Sequence, residues 1–195
     1  MAELLKIPMF PLSIFPMPGE MVPLHIFEPR YKQLLHDAET KDISFGIYFN
    51  HVSNVEKIGS LVKLESVIKR YESGESDVIV KCIDLFSLNI LLRTFRDKSY
   101  PGGEVSFWNV DASEPVNEKL RSAFKEYLIH FQIHNSELIP SVFSIANELG
   151  LDFEERLRFV KFDDELREKF LLAHLRYQTE LLQQAEKSKD VFHLN

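Results

Sequence analysis

The sequence predicts an α+β fold in which a β-rich N-terminal half is followed by a helical C-terminal half. Apolar residues recur mostly at every second position up to about Asp111, and with a period near 3.6 from Ser113 onward. The composition of the 195 residues, 45% hydrophobic and 27% charged, is typical of a globular protein with a substantial core. We therefore predict a β-rich part over residues 1–112 and an α-helical part over residues 113–195.

Several runs in the first half alternate between inward and outward positions and are predicted to be strands. Their inward residues include Phe45, Ile47 and Phe49, then Ile58, Val62, Leu64 and Ile68, then Val78, Val80 and Cys82, and finally Val105 and Phe107. Gly74 can adopt a positive φ, so the two strands that flank it are predicted to form a hairpin. One helix over residues 28–38 interrupts this region, with Pro29 suited to its first turn.

Four helices are predicted in the second half from stripes of apolar residues at helical spacing. Three of them carry Leu120, Phe124, Tyr127, Leu128 and Phe131; Val142, Ile145, Ala146 and Leu149; and Phe153, Leu157 and Val160. Pro140 and Ser141 are expected to start the second of these, and Gly150 to end it. The last helix, over residues 164–187, has a wide apolar face that we expect to be buried against neighbouring elements, a partner-binding face being the alternative.

Charge and cysteine content exclude several classes of protein. With 23 basic and 30 acidic residues the net charge is −7, which opposes binding to nucleic acid, although a local basic patch could survive. Cys82 is the single cysteine, so the chain can form neither an intrachain disulfide nor a Cys-rich zinc site, as in cytoplasmic proteins. No apolar run reaches the roughly 20 residues that a membrane span needs, so no membrane association is expected.

Motifs for catalysis and cofactor binding are missing from the sequence. No glycine is followed by lysine, as a Walker A loop requires, and neither G-x-G-x-x-G nor G-x-S-x-G occurs. His130 and His134 are four apart on a predicted helix and could share a metal, but the glutamate of H-E-x-x-H and a third ligand are missing, which favours structural histidines. We predict no catalytic residue, no cofactor and no metal; a catalytic dyad assembled by the fold is the open alternative.

The N-terminal segment is rich in proline, and each proline removes a backbone donor and fixes φ. Residues 7–19 are therefore predicted to form an edge strand followed by an irregular crossing. A distinctive set of residues runs from this segment into the first helix, and we expect its members to be structural: Phe10, Pro11, Leu12, Pro16, Pro18, Gly19, Pro23, Leu24, Ile26, Phe27, Glu28, Pro29, Arg30 and Tyr31. This set resembles the opening signature of the Lon N-terminal (LON) domain family.

The resemblance continues along most of the chain, through Phe45-Gly46-Ile47, Ile58-Gly59-Ser60 and the later Ile145-Ala146 with Leu149 and Leu151. It departs at Cys82 and Leu85, where the family often has glycine and arginine. The resemblance implies a PUA-like pseudobarrel followed by a helical bundle. It also implies a freestanding, ATP-independent LON-domain protein without the ATPase and peptidase domains of Lon, so that a peptidase S16 name would rest on homology alone.

On this basis the predicted function is a noncatalytic module that binds unfolded or degron-bearing protein segments, with an adaptor role toward an ATP-dependent protease supplied in trans as a variant. The alternatives are RNA binding through the PUA-like fold, or a hydrolase as the family name suggests. The predicted peptide-binding residues are Phe15, Phe45 and Phe49, because prolines interrupt sheet pairing and leave clefts where the proline-rich segment meets the β face.

Overall fold

The computed structural model describes residues 4–134 and 140–192, among which it shows six strands and five helices. The strands are β1 (Leu5–Pro11), β2 (Met21–Ile26), β3 (Phe45–Tyr48), β4 (Ile58–Arg70), β5 (Ser76–Leu92) and β6 (Gly102–Phe107). The helices are α1 (Pro29–Lys41), α2 (Glu118–His130), α3 (Val142–Glu148), α4 (Phe153–Lys161) and α5 (Asp164–Phe192). This order, in which α1 is the one helix among the strands and the other four follow them in the described residues, confirms the predicted α+β class.

The chain divides into two compact units. The first consists of Met1–Ala112 together with Phe153–Leu157, and the second of Ser113–Asp152 together with Arg158–Asn195. The second part of the chain therefore contributes the first half of α4 to the β-rich unit.

The strands of the first unit form a closed ring of pairings. The strand order is β2-β5-β4-β3-β1-β6, and β5 also pairs with β6, which closes the ring β1-β3-β4-β5-β6. Closure is possible because β5 has 17 residues: its first part pairs with β2 and its second part with β6 along the same edge. The hairpin predicted at Gly74 is confirmed between β4 and β5, and Gly74 has a φ of +81°.

The proline-rich strand β1 lies between β3 and β6, so the prediction of an edge strand is wrong. The physical reason is that β1 pairs with one neighbour at a time. Residues Leu5 to Pro8 pair with β6, and Met9 to Pro11 pair with β3. Each proline of β1 therefore has a paired strand on one side only, so it is not required to bond to two strands at once although it has no N–H to donate. The irregular crossing predicted after the strand is present as a non-regular segment over residues 12–20.

The core of the first unit collects the inward residues of the strands and of α1. Phe10 contacts the ring of Tyr31 at 4.0 Å between centroids, and Leu34 and Ile47 are almost fully buried beside them. Burying side chains of this size stabilises the fold by about 1.5–3 kcal/mol each. Met9, Phe86 and Val105 centre a second buried cluster of the same unit.

A buried carboxylate ties α1 to the segment before β6. Asp37 is only 3% exposed and receives hydrogen bonds from Lys41 at 2.6 Å and from the Tyr100 hydroxyl at 2.8 Å, while Lys98 lies 2.9 Å away. These donors, with Lys41 the strongest, hold the pKa of the Asp37 carboxyl well below its usual range. Burial and the neighbouring carboxylate raise the pKa of the Tyr100 phenol.

In the second unit, several residues of the predicted helical stripes are buried. Leu120, Phe124, Ile145 and Leu171 are each at most 3% exposed. Ser141 caps α3, since its hydroxyl accepts a hydrogen bond from the Ser144 amide, which confirms the predicted start of this helix.

The prediction that His130 and His134 share one helix is wrong. Helix α2 ends at His130, and the following Gln132 has a φ of +54°, which turns the chain away from the helical path before His134. The two side chains therefore lack the helical spacing that a shared metal site would use.

Only part of the wide apolar face of α5 is buried. Leu171 and Leu175 are buried, whereas Leu166, Tyr177 and Leu181 are 46%, 61% and 46% exposed.

In the described part of the chain, no helix combines the length and apolarity that crossing a membrane would demand.

Candidate functional site

The most exposed large apolar side chains of the described residues lie in the loop between β3 and β4, residues 49–57, here called the β3–β4 loop. Val52 is 86% exposed and Val55 is 82% exposed. Isolated exposed apolar residues are normal on protein surfaces. Two of them on one short loop, flanked by partly buried aromatic rings, form a surface that can bury apolar groups of another molecule.

A single buried side chain closes this loop. Asn54 is 4% exposed, and its amide nitrogen donates to the carbonyl oxygens of Phe49 at 3.1 Å and Ile58 at 2.8 Å. Its amide oxygen accepts from the Ile58 backbone N–H at 2.9 Å. The bonds connect the first residue of the loop to the first residue of β4, so the two valines are presented by a loop of fixed geometry rather than by a loose segment.

Backbone hydrogen bonds extend this rigidity in both directions. The Asn54 N–H donates to the His51 carbonyl at 3.0 Å, and the Lys57 N–H donates to the Asn54 carbonyl at 3.1 Å. The Lys57 carbonyl then accepts from the Leu88 N–H of β5 at 2.9 Å. The loop is thus two successive turns attached to the sheet.

An aromatic cluster joins the loop residues Phe49 and His51 to Phe15 and Phe153, and all four belong to the first unit. The rings of Phe49 and Phe153 are 4.7 Å apart in an edge-to-face arrangement, and His51 contacts both at 5.0 and 5.3 Å. Phe15 meets Phe153 from the buried side at 6.2 Å. Such pairs contribute about 0.5–1.5 kcal/mol each beyond their buried area, so the cluster stabilises the position of the loop residues Phe49 and His51.

The first turn of α4 is held against the cluster by polar contacts. The Arg156 guanidinium donates to the Glu20 carboxylate at 2.6 Å and to the Phe15 carbonyl at 3.0 Å. The Ser53 hydroxyl of the loop donates to the Glu154 carboxylate at 3.0 Å. Phe153 therefore has a defined position between the proline-rich segment and the loop.

The polar groups of this site are not arranged for covalent chemistry. The Ser53 hydroxyl donates to Glu154, and His51 Nδ1 accepts the Ser53 backbone N–H at 3.2 Å, so the serine and the histidine do not form a nucleophile and base pair. Tyr48, just before the loop, is buried, and burial raises the pKa of its phenol. Within residues 4–134 and 140–192, no three His, Cys, Asp or Glu side chains lie together as metal ligands.

The structure brings two of the three predicted peptide-binding residues together. Phe15 and Phe49 both contact Phe153, with Phe15 buried and Phe49 partly buried. Phe45 is buried elsewhere, in the core of the first unit, 6.4 Å from the ring of Phe10. That these rings bind peptide stays a prediction; Phe49 is partly buried, whereas Phe15 and Phe45 are buried.

Sequence reasoning missed Phe153, His51 and the two valines. The apolar spacing predicts Phe153 on a helical stripe of the second half, and nothing in that spacing indicates contact with Phe49, which is about 100 residues earlier. Val52 and Val55 lie among polar residues in a segment without periodicity, and no pattern in this segment indicates that both valines are exposed. Asn54 is the one signal in the sequence for this loop, since asparagine favours turns in which its side chain bonds nearby backbone groups.

The signature residues from Phe10 to Tyr31 separate into buried and exposed members. Phe10, Pro16, Pro18, Ile26 and Tyr31 are buried. Glu28, Pro29 and Arg30 line an open groove of about 650 Å³ together with Gln33, Asp97 and Ser99. In this groove Arg30 already donates to Glu28 at 2.7 Å, and the Ser99 hydroxyl donates to Gln33 at 2.6 Å, so its polar groups bind one another.

Comparison with solved structures finds many similar chains, and these include two Lon N-terminal domains. A Lon N-terminal domain protein from Xanthomonas campestris matches with a TM-score of 0.66 and 22% identity, over 87% of this chain and 98% of its own. The N-terminal domain of the Mycobacterium avium complex Lon protease matches with a TM-score of 0.60 and 13% identity, over 88% of this chain and 98% of its own. At these identities the likeness shows a shared fold.

Comparison with curated proteins gives no match. Among family models, that of the ATP-dependent protease La (LON) substrate-binding domain matches residues 6–191. Since this match covers nearly the whole of the 195 residues, the chain belongs to the family of LON substrate-binding domains.

Proposed function

We propose that this protein is a noncatalytic recognition module that binds exposed apolar segments of other proteins at the β3–β4 loop. The observation that carries the proposal is the pair Val52 and Val55, 86% and 82% exposed, on a loop that Asn54 holds closed. Membership of a substrate-binding family supports protein recognition as the task. Phe49 and Phe153 supply the aromatic part of the surface.

The energy available at this surface is sufficient for weak, reversible binding. Covering both valines completely would contribute up to about 1.5–3 kcal/mol each, and a bound segment that covers them only in part would gain less. The loop does not have to be ordered on binding, because its hydrogen bonds are already made. We therefore expect dissociation constants in the micromolar range or above, as suits a module that must release its clients.

The experiment uses a fluorescein-labelled peptide of alternating leucine and serine, titrated with the protein and followed by fluorescence anisotropy. Saturable binding is expected for the native chain. The double variant Val52→Ser, Val55→Ser should weaken binding by roughly ten-fold or more, since about 1 kcal/mol is lost at each position. Both positions are exposed, so the unfolding free energy should change little.

A matched control is Ile68→Ser on β4, which removes an apolar side chain that is 62% exposed outside the loop. It should leave binding unchanged. Equal weakening by the control and by the loop variant would contradict this location of the site, and a native chain without saturable binding would contradict the function itself.

We further propose that captured segments are passed to an ATP-dependent protease acting in trans in the cytoplasm. The support is the family, whose description refers to substrate binding for such a protease. The measurement is recovery of a tagged chain with an ATP-dependent protease from cell extract, with the loop variant as the comparison. Purified protein that hydrolyses ATP or cleaves an unfolded polypeptide would overturn the noncatalytic assignment.

A further inference from the structure

We infer that His51 is a pH-sensitive positioning residue of the β3–β4 loop, so that client segments bind more tightly at neutral pH than in mild acid; this rests on the proposed function. The inference starts from one hydrogen bond, in which the Ser53 backbone N–H donates to His51 Nδ1 at 3.2 Å. A backbone N–H can only donate, so Nδ1 must supply a lone pair. The imidazole that makes this bond is therefore the neutral form, with its proton on Nε2.

This bond acts on the peptide group that follows Val52. The Ser53 N–H belongs to that peptide group, so its bond to His51 fixes how the chain leaves Val52, the more exposed of the two valines. The His51 carbonyl accepts the Asn54 N–H at 3.0 Å in the same turn. His51 thus receives two consecutive backbone N–H groups, and only the one bound by its side chain depends on the protonation of the ring.

Two aromatic rings hold the imidazole in position. Its centroid lies 5.0 Å from that of Phe49, with the planes at 27°, and 5.3 Å from that of Phe153, with the planes at 77°. The face of a phenyl ring also attracts cations, so these contacts do not exclude an imidazolium. Protonation changes the polar side of the ring instead, because it turns the Nδ1 acceptor into a donor that then faces the Ser53 N–H.

Charged groups come from both elements that meet at His51. They are Glu56 and Lys57 on the loop, and Asp152, Glu154, Glu155 and Arg156 at the start of α4. Glu154 accepts the Ser53 hydroxyl at 3.0 Å, and the Arg156 guanidinium lies 2.6 Å from the Glu20 carboxylate. Because Glu154 and His51 both bond to Ser53, the test must separate the titration of the carboxylate from that of the imidazole.

The size of the effect follows from the loss of one hydrogen bond. Without this bond the loop can leave the geometry in which it presents Val52, and a client must restore that geometry when it binds. Histidine side chains ordinarily change charge between about pH 5 and about pH 8, so the loss falls in mild acid. We expect the dissociation constant to rise by about two- to twelve-fold from neutral to mildly acidic pH, which is what one net hydrogen bond is worth.

The test is an anisotropy titration of the leucine and serine peptide at neutral and at mildly acidic pH. The peptide carries a rhodamine label here, because fluorescein itself titrates in this range. His51→Asn places an amide Oδ1 where the imidazole has Nδ1, so it keeps an acceptor for the N–H two residues later and cannot be protonated. This variant should bind equally at both pH values. His51→Phe keeps a ring for Phe49 and Phe153 but has no acceptor, and it should bind at neutral pH as weakly as the native chain binds in acid.

The matched control is His36→Asn, which replaces an exposed histidine on α1 and should retain the loss of affinity in acid. A loss that persists in His51→Asn would assign the effect to another group, such as Glu154, and would overturn the inference. Equal affinity of the native chain at both pH values would overturn it as well, and both results would leave the proposed function standing. A native chain that binds the peptide at neither pH would overturn the function itself.

Discussion

Replacing Asn54 by alanine gives the sharpest test of how the loop is built. The substitution removes three hydrogen bonds, of which the two to Ile58 lie in buried surroundings and the one to the Phe49 carbonyl is partly buried. A buried backbone group that loses its partner costs about 1–3 kcal/mol, whereas water can reach the partly buried one. We expect Asn54→Ala to lower the free energy of unfolding by about 2–6 kcal/mol, a large share of the 5–15 kcal/mol typical of a domain.

The assay is urea unfolding followed by the fluorescence of Trp108, the single tryptophan, whose indole donates to Ser87 at 2.9 Å within the first unit. Asn89→Ala is the matched control, because that exposed amide makes one hydrogen bond, to Glu104, and should cost less than about 0.5 kcal/mol. If Asn54→Ala also costs less than this, the loop is not held by Asn54 and the argument for a preformed site fails.

Three further outcomes follow from buried groups. Because the pKa of Asp37 is depressed in the folded state, its contribution is present above the usual aspartate pKa near 4 and is lost as the pH falls below it. Asp37→Asn should therefore cost roughly 1.5–3 kcal/mol at pH 7 and less at pH 3 in urea unfolding, and an equal cost at both would contradict the role of its charge. Gly59→Ala places a Cβ 2.3 Å from the Phe86 ring and should lower the thermal unfolding midpoint through overpacking worth about 1–3 kcal/mol, so an unchanged midpoint would refute that contact. Burial raises the pKa of the Cys82 thiol, so a thiol reagent should modify it in urea but not in the native protein, and rapid native labelling would show that β5 opens.

Periodicity predicts the elements whose structure depends on residues close together in the chain. The alternation from Ile58 to Cys82 and the turn at Gly74 are both local features, and together they are sufficient to predict the hairpin of β4 and β5. The place of β1 in the sheet depends instead on partners far along the chain. Its prolines are compatible with an edge strand or with one that changes partner midway, and only the tertiary pairings to β3 and β6 decide between these.

The candidate site was less predictable for the same reason. Phe49 could be singled out as an aromatic residue at the end of an alternating run, but β3 ends at Tyr48, and this places Phe49 at the start of the loop. Its contact with Phe153 lies within the first unit and links two residues that are about 100 positions apart in the chain. No local pattern encodes that contact, because helical spacing states which residues share a face and not what the face meets.

The closed ring of strands explains why recognition is assigned to a loop rather than to a sheet edge. Strand β2 ends the strand order, and within the described residues it pairs with β5 alone, so one of its edges could accept an extended peptide. Pro23 stands opposite Ile79 at the middle of this strand and has no N–H to contribute. Backbone groups of successive residues point to opposite edges of a strand, so Val22 and Leu24 bond to β5 and Pro23 lies on the outward edge. That edge therefore lacks an N–H donor at its centre, and proline on an edge strand is one way in which proteins discourage the addition of another strand. We therefore propose that an apolar segment binds by burying its side chains against Val52 and Val55 rather than by adding a strand to β2. Such contact requires no particular backbone conformation of the client.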